Sequence, residues 1–146
     1  QLGLGGRIGQ SVRENEGLAY YANSHLQGGS GPGPWLAFAG VNPAGVDKAI
    51  DLMLAEIRRF RAEPVTDNEL ADAKAYLTGV LPLQMETNEG VAGTLLDMHL
   101  YQLGDDFIAR YPAIINGVTQ DEIQAAVQKY LSDEVYALAI AGPVEG

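Results

Sequence analysis

Two hydrogen-bond donors lie close together in the sequence and could act on one peptide carbonyl group. Arg13 and Tyr20 are separated by residues 14–19, which include Gly17. A guanidinium is a permanently charged, planar donor and a phenol is a neutral one, and both suit a carbonyl oxygen or a developing oxyanion. If the chain reverses direction between them, the two side chains can face the same space. Arg13 and Tyr20 are therefore candidates for binding such an oxygen.

A turn from a helix into a strand is predicted between these two residues. Residues 7–15 are typical of the last turns of a helix, Gly17 can supply the left-handed residue that ends it, and residues 18–27 have the pattern of a strand. Arg13 then lies at the negative end of the helix dipole, where a cation is also favoured for structural reasons. Because a tyrosine in a strand usually serves packing, the pair taken alone favours a structural role.

Five short segments, taken in order, extend the pattern along the whole chain. They are residues 7–14 (RIGQSVRE), 17–21 (GLAYY), 118–123 (VTQDEI), 129–131 (KYL) and 139–143 (AIAGP). In this order they resemble the second half of the pitrilysin/insulinase-type zinc metallopeptidases, which include the mitochondrial processing peptidases. The first two segments resemble the arginine–tyrosine motif of that half. Gly9 departs from the pattern, because a large apolar residue often follows Ile8 there.

The resemblance implies a fold and a function. Each half of such a peptidase is a sheet covered by helices, and two halves face each other around a closed chamber. This chain would be the C-terminal, zinc-free half, with Arg13 and Tyr20 holding the carbonyl of the peptide substrate. The resemblance implies no catalytic residue in this chain alone, which should be inactive by itself.

Two other functions stay open at this point. Some members of the same fold family have lost catalysis, so a non-catalytic structural or assembly subunit is the alternative. A stand-alone peptide-binding module is a third hypothesis.

No metal-binding pattern is present in the sequence. The His-x-x-Glu-His helix of the resembled family is absent, and the only two histidines, His25 and His99, have no neighbouring ligand pattern. There is no cysteine, which excludes thiolate ligands and leaves the redox compartment open. We expect no metal ion and no cofactor in this chain; by the resemblance, zinc belongs to the partner half.

Charge and hydropathy restrict the partners. The formal net charge is −10, which argues against nucleic acid or an anionic membrane surface as a partner and mildly favours cationic substrates. No apolar run approaches the roughly 18 residues of a membrane span. The expected partners are a peptide substrate and a zinc-carrying half, either in the same chain or in a separate subunit.

The order of predicted elements indicates the α+β class, with an antiparallel or mixed sheet covered by helices on one face. We expect residues 1–146 to form a single domain, because this length suffices for one hydrophobic core. We expect that domain to be a fragment of the C-terminal, non-metal half of a larger peptidase, because the chain opens with Gln1 and not Met, inside a predicted helix. An exposed sheet edge would then favour self-association of the fragment. After the first helix and strand, the predicted elements are a glycine- and proline-rich connection at residues 28–34, strands at 35–41 and 134–141, and helices at 44–63, 66–81, 88–103, 105–111 and 120–131.

Three local signals refine this assignment. Thr66 with Glu69, and Thr119 with Glu122, have the spacing of capping boxes at helix starts. Pro82 is expected to stop the helix that begins at Thr66. The helix at residues 88–103 is expected to bury the side that carries Val91, Leu95, Leu96, Met98 and Leu100.

Overall fold

The α+β class is confirmed by the computed structural model, which describes residues 6–29 and 31–143. The chain forms two compact units. The first unit contains the residues up to Glu63 and those from Ala125 onward, and the second contains Pro64–Gln124. The expected helical environment of Gln1 lies outside the described residues.

The first unit is a two-stranded antiparallel sheet with helices on one face. Its first helix, α1, begins with one α-helical turn and continues as a π-helix, in which the backbone winds more loosely. A short 3₁₀ turn, Pro43–Gly45, precedes α2. The bounds are Arg7–Gly9 and Gln10–Asn15 for the two parts of α1, Ala19–Leu26 for β1, Trp35–Val41 for β2 and Val46–Ala62 for α2.

The second unit is helical in its described residues. It contains α3, α4, α5 and the start of α6, whose remainder belongs to the first unit. The bounds are Asp67–Gln84 for α3, Asn88–Leu100 for α4, Phe107–Gly117 for α5 and Gln120–Tyr130 for α6. Helix α5 packs against α3, and the Lys74 ammonium donates to the Asn116 carbonyl at 2.9 Å.

Both predicted capping boxes are confirmed. The Glu69 amide donates to the Thr66 hydroxyl at 3.2 Å, and the Thr66 amide donates to the Glu69 carboxylate at 2.8 Å. The same reciprocal pair joins Thr119 and Glu122 at the start of α6. The hydrogen bonds from the Thr119 amide and hydroxyl lower the pKa of the Glu122 carboxyl group.

A small apolar core joins α1, the sheet and α2 in the first unit. Its buried residues are Ile8, Val12, Ala19, Ala22 and Ala49. Ile8 and Val12 are four positions apart, so both lie on the face of α1 that meets the sheet. The alanines of β1 allow the helix to approach the sheet closely, and Val12 is fully buried. This packing fixes the position of α1 immediately before the candidate site.

Two prolines lie inside helices, contrary to the prediction for Pro82. Helix α3 continues to Gln84, and α5 runs to Gly117 through Pro112 and not only to Tyr111. A proline inside a helix loses its own amide hydrogen bond and crowds the carbonyl four residues earlier. Pro82 lies in the last turn of α3, and that turn still closes through the Met85 amide, which bonds to the Leu81 and Pro82 carbonyls at 3.2 and 3.1 Å. At the end of α5, the Lys74 ammonium stabilises the negative pole of the helix.

The predicted final strand is wrong, because residues 134–141 have no strand conformation. In the described part of the chain, the sheet contains only β1 and β2, and residues 134–141 pair with neither strand. The segment remains apolar and exposed, with Val135 at 83% and Ile140 at 64% of full exposure.

The predicted buried side of α4 is also wrong for its leucines. Leu95, Leu96 and Leu100 are exposed, whereas Met98 is buried. The helix is apolar around much of its circumference, so its sequence does not determine which side faces inward. It ends at Leu100 and not at 103, because Gln102 and Gly104 adopt positive φ values.

Candidate functional site

The reversal between Arg13 and Tyr20 is built from backbone hydrogen bonds at the end of α1. The Gly17 amide donates to the Arg13 carbonyl at 3.0 Å, and the Leu18 amide donates to the Val12 carbonyl at 3.2 Å. Gly17 has a φ of +62°, which confirms the predicted left-handed helix end. The Lys48 ammonium of α2 forms an ion pair with the Glu16 carboxylate, which connects α2 to the turn.

A β-bulge lies at Tyr20, directly after the turn. Ala19 pairs with Val41 and Tyr21 pairs with Gly40, so Tyr20 has no partner residue in β2. In a regular strand, Ala19 and Ala22 would face opposite sides of the sheet. The extra residue allows both alanines to face the helices, where both are buried. Tyr20 and Tyr21 consequently both lie away from the core, and bulges commonly redirect side chains in this way.

Both candidate side chains are accessible. Tyr20 has 88% of its surface exposed, and Arg13 is half-buried beside the buried Val12. Within residues 6–29 and 31–143, neither side chain forms a hydrogen bond, an ion pair or a ring contact. Their donors are therefore not consumed by contacts in this part of the chain. A guanidinium and a phenol are both hydrogen-bond donors whose chemistry suits a carbonyl oxygen.

The outward face of the hairpin carries aromatic rings next to this turn. The Phe38 ring lies between those of Tyr21 and His25, with centroid distances of 6.1 and 5.5 Å. A Cβ atom at Gly40 would approach the Tyr21 ring to 2.5 Å. The ring therefore packs directly against the backbone of Gly40, where there is no side chain. These residues were not predicted as part of a site.

A second polar cluster lies at the end of α2. The Asp133 carboxylate accepts from Arg58 Nε at 2.9 Å and from Arg61 Nη1 at 3.4 Å, beside an open cavity of about 450 Å³. The carboxylate partly neutralises the two guanidiniums and ties the chain after α6 to α2. Neither Arg13 nor Tyr20 lines this cavity.

In the described ranges, no three histidine, cysteine or acidic side chains are grouped so that they could hold a metal ion. His25 contacts Phe38 on the sheet, and His99 is exposed on α4. This part of the chain therefore does not fit a zinc ion. Among the same residues, no helix combines the length and apolarity that crossing a bilayer requires.

Residues 2–77 match the family described as the peptidase M16 inactive domain. The chain belongs to this family, which is the predicted pitrilysin/insulinase-type group.

Curated relatives agree with this assignment. The chain is 28% identical to an uncharacterized zinc protease of Streptomyces coelicolor, over 98% of the chain and 31% of that protein. It is 24% identical to a probable inactive metalloprotease of Bacillus subtilis, over 88% of the chain and 29% of that protein. The chain thus spans less than a third of the length of these relatives.

Solved structures show the same fold. The peptidase M16 inactive domain from Pseudomonas fluorescens superposes with a TM-score of 0.78 at 24% identity, over 90% of this chain and 31% of that chain. A protease from Helicobacter pylori superposes with a TM-score of 0.71 at 20% identity, over 90% of this chain and 32% of that chain.

The sequence prediction found the turn but missed the bulge. The available signal was the order Ala19, Tyr20, Tyr21, Ala22, in which two small residues three positions apart flank two large ones. Strict alternation cannot bury both alanines, so a buried role for both requires an inserted residue.

Proposed function

We propose that this chain is the substrate-binding, zinc-free half of a zinc metallopeptidase. In this proposal Arg13 and Tyr20 bind the carbonyl oxygen of the peptide bond that is cleaved. Membership of the peptidase M16 inactive-domain family supports the general role. The observation that carries the specific role is the bulge, which leaves Tyr20 88% exposed on the strand that directly follows the Arg13 turn.

The two side chains would make different contributions. The guanidinium keeps its charge at all relevant pH values and offers two donors in one plane, so it can orient the carbonyl and balance developing negative charge. The phenol adds a neutral donor from the strand side. Donors that are positioned before the reaction need no reorganisation when charge develops on the oxygen.

Zinc belongs to another part of the protein in this proposal, because the described residues offer no ligand group. The metal chemistry, which is activation of water and polarisation of a carbonyl, would come from that part. This chain would contribute the binding and orientation of the peptide. The zinc-carrying half and the peptide are therefore its proposed partners.

Substitutions in the full-length protein test the assignment. Arg13→Ala and Tyr20→Phe should each lower kcat by roughly 10²–10³, which is the usual effect of removing one oxyanion donor. Matched controls are Arg59→Ala, on an exposed arginine of α2, and Tyr76→Phe, on an exposed tyrosine of α3. The measurement is the turnover of a fluorogenic peptide, with circular dichroism to verify folding. Near-normal kcat in both site variants would remove the assigned role.

A non-catalytic structural or assembly subunit is the second candidate. The name of the Bacillus subtilis relative, a probable inactive metalloprotease, favours it. The two candidates differ in one measurement on the full-length protein supplied with zinc. Cleavage of any peptide, abolished by a chelator and restored by zinc, supports the peptidase; absence of cleavage across a diverse peptide library supports the structural subunit.

A further inference from the structure

We propose that Asn116 is a self-modification site, at which the chain converts an asparagine side chain into a carboxylate, and that the Lys74 ammonium accelerates this reaction. The reaction is deamidation through a cyclic succinimide, and its only co-reactant is water. Both residues belong to the unit of Pro64–Gln124. The inference does not depend on the proposed function.

The dipeptide Asn116–Gly117 supplies the reacting groups. Of the asparagines in the chain, only this one is followed by glycine. To form a succinimide, the backbone nitrogen of the following residue must reach the side-chain Cγ atom of the asparagine. Glycine allows this approach because it has no Cβ atom and permits many backbone conformations.

Both residues are accessible at the end of α5. Asn116 and Gly117 are exposed, and a Cβ atom at Gly117 would meet nothing within 4 Å. Within residues 6–29 and 31–143, the Asn116 side chain forms no hydrogen bond, so it can rotate towards the Gly117 nitrogen. Gly117 is the last residue of the helix, and the ends of helices open at little cost in free energy. The backbone can therefore leave the helical conformation that keeps the reacting atoms apart.

The Lys74 ammonium donates to the Asn116 carbonyl oxygen at 2.9 Å. This oxygen belongs to the same peptide group as the Gly117 nitrogen. When that nitrogen loses its proton, resonance across the peptide bond places negative charge on the oxygen. A cation that is hydrogen-bonded to the oxygen stabilises the anion more than the neutral amide, so it lowers the barrier to attack. Lys74 is thus placed to promote the step that limits the reaction.

The atoms and charges of the reaction balance with water alone. Water takes the Gly117 amide proton, and the nitrogen attacks Cγ of Asn116, which closes the succinimide. The bond from Cγ to the side-chain nitrogen breaks, and that nitrogen gains a proton from water and leaves as ammonia. Water then opens either ring carbonyl. The product is aspartate or isoaspartate, and in isoaspartate the main chain runs through the former side chain.

The modification changes the connection between α5 and α6. Either product adds one negative charge close to Lys74. Isoaspartate also lengthens the main chain shortly before Thr119, whose hydroxyl caps the start of α6. The reaction therefore alters the entry into α6 irreversibly.

Ageing of the 146-residue chain at neutral pH tests the inference. Trypsin releases residues 111–129 as one peptide, because it cleaves after Arg110 and Lys129, and Asn116 is the only asparagine in that peptide. Mass spectrometry follows the replacement of the amide by a carboxyl group with time, and electron-transfer fragmentation distinguishes isoaspartate from aspartate. We expect Asn116 to react before every other asparagine of the folded chain.

Substitutions separate the role of Lys74 from the reactivity of the dipeptide. Lys74→Met should slow the modification of the folded chain by roughly three- to tenfold, which is less than the effect of a buried oxyanion donor because Lys74 is only half-buried. Lys74→Arg keeps a charged donor and should retain most of the rate. Gly117→Ala should slow the reaction further, because a Cβ atom obstructs the attacking nitrogen. Lys48→Met on α2 is the control and should leave the rate unchanged.

The unfolded chain provides the second comparison. In urea Lys74 is no longer held at the Asn116 carbonyl, so Lys74→Met should leave the rate there unchanged. The role of Lys74 is refuted if Lys74→Met leaves the folded rate unchanged or raises it; a higher rate would show that the lysine protects the end of α5. The site itself is refuted if Asn116 stays intact in the folded chain while the unfolded chain reacts, or if another asparagine reacts first. Circular dichroism verifies folding, and Lys74→Gln, judged by the same criteria, replaces Lys74→Met if that variant does not fold.

Discussion

Replacing Gly17 with alanine perturbs the backbone reversal between Arg13 and Tyr20 without touching either side chain. Gly17 has a φ of +62°, and an added Cβ atom would meet no other atom within 4 Å. A new methyl group therefore causes no collision, and its cost comes from the backbone alone. A left-handed conformation costs an L-residue roughly 1–2 kcal/mol.

The unfolded chain offsets part of this cost. Alanine has fewer accessible backbone states than glycine, which stabilises the folded state by about 0.4–1 kcal/mol. We expect Gly17→Ala to destabilise the protein by roughly 1 kcal/mol net. For concerted unfolding of 146 residues, this corresponds to a decrease in Tm of about 3 °C.

Gly79→Ala is the matched control, and we expect it to change the free energy of unfolding in the opposite direction. Gly79 lies within α3, and a Cβ atom there also meets nothing within 4 Å. Because its backbone is helical, alanine should stabilise the protein by roughly 0.5–1 kcal/mol. Gly17→Asn should lose less stability than Gly17→Ala, since asparagine tolerates the left-handed region better.

Urea unfolding measures these differences. Fluorescence of Trp35, the only tryptophan, reports on the unit that contains Gly17, and far-ultraviolet circular dichroism reports on the helices of both units. The reasoning is refuted if Gly17→Ala is as stable as the unsubstituted chain, or if both glycine substitutions change stability in the same direction.

Three further predictions follow from the capping boxes and the ion pairs. Thr66→Ala and Thr119→Ala should each cost about 1 kcal/mol in urea unfolding, whereas Thr78→Ala, which removes only a hydroxyl bonded to helix carbonyls, should cost less. NMR titration should find the pKa of Glu122 below its ordinary value, and Thr119→Ala should return it towards that value. Because the pKa of Glu122 is lower in the folded state than in the unfolded state, its ionised carboxylate stabilises the folded state. This contribution to stability is complete above the unfolded pKa and is lost as pH falls through the folded pKa. Asp133→Asn should cost roughly 0.2–1 kcal/mol at low salt and less in 1 M NaCl, since Arg58 is largely exposed; an equal loss at both salt concentrations would contradict an ionic origin.

Local signals in the sequence were sufficient for several elements. Strand β2 has the predicted bounds, 35–41, and both capping boxes form where the threonine–glutamate spacing placed them. Gly17 ends α1 as predicted. Each of these features depends on hydrogen bonds between residues at most a few positions apart, so the nearby sequence contains the necessary information. The class of protein was also predictable, because ordered motifs along the whole chain resemble one family.

The tertiary structure alone decided which side chains are buried and which are displayed. The bulge at Tyr20 exists because Ala19 and Ala22 both pack under α1, which depends on a helix outside the strand. The exposed leucines of α4 and the missing strand at residues 134–141 depend likewise on which surfaces find partners. The sequence by itself determined the turn and the two donors beside it. Their exposure, and the contact between the exposed Tyr21 and Phe38 rings, follow from strand register and packing between segments distant in the chain, which local patterns do not contain.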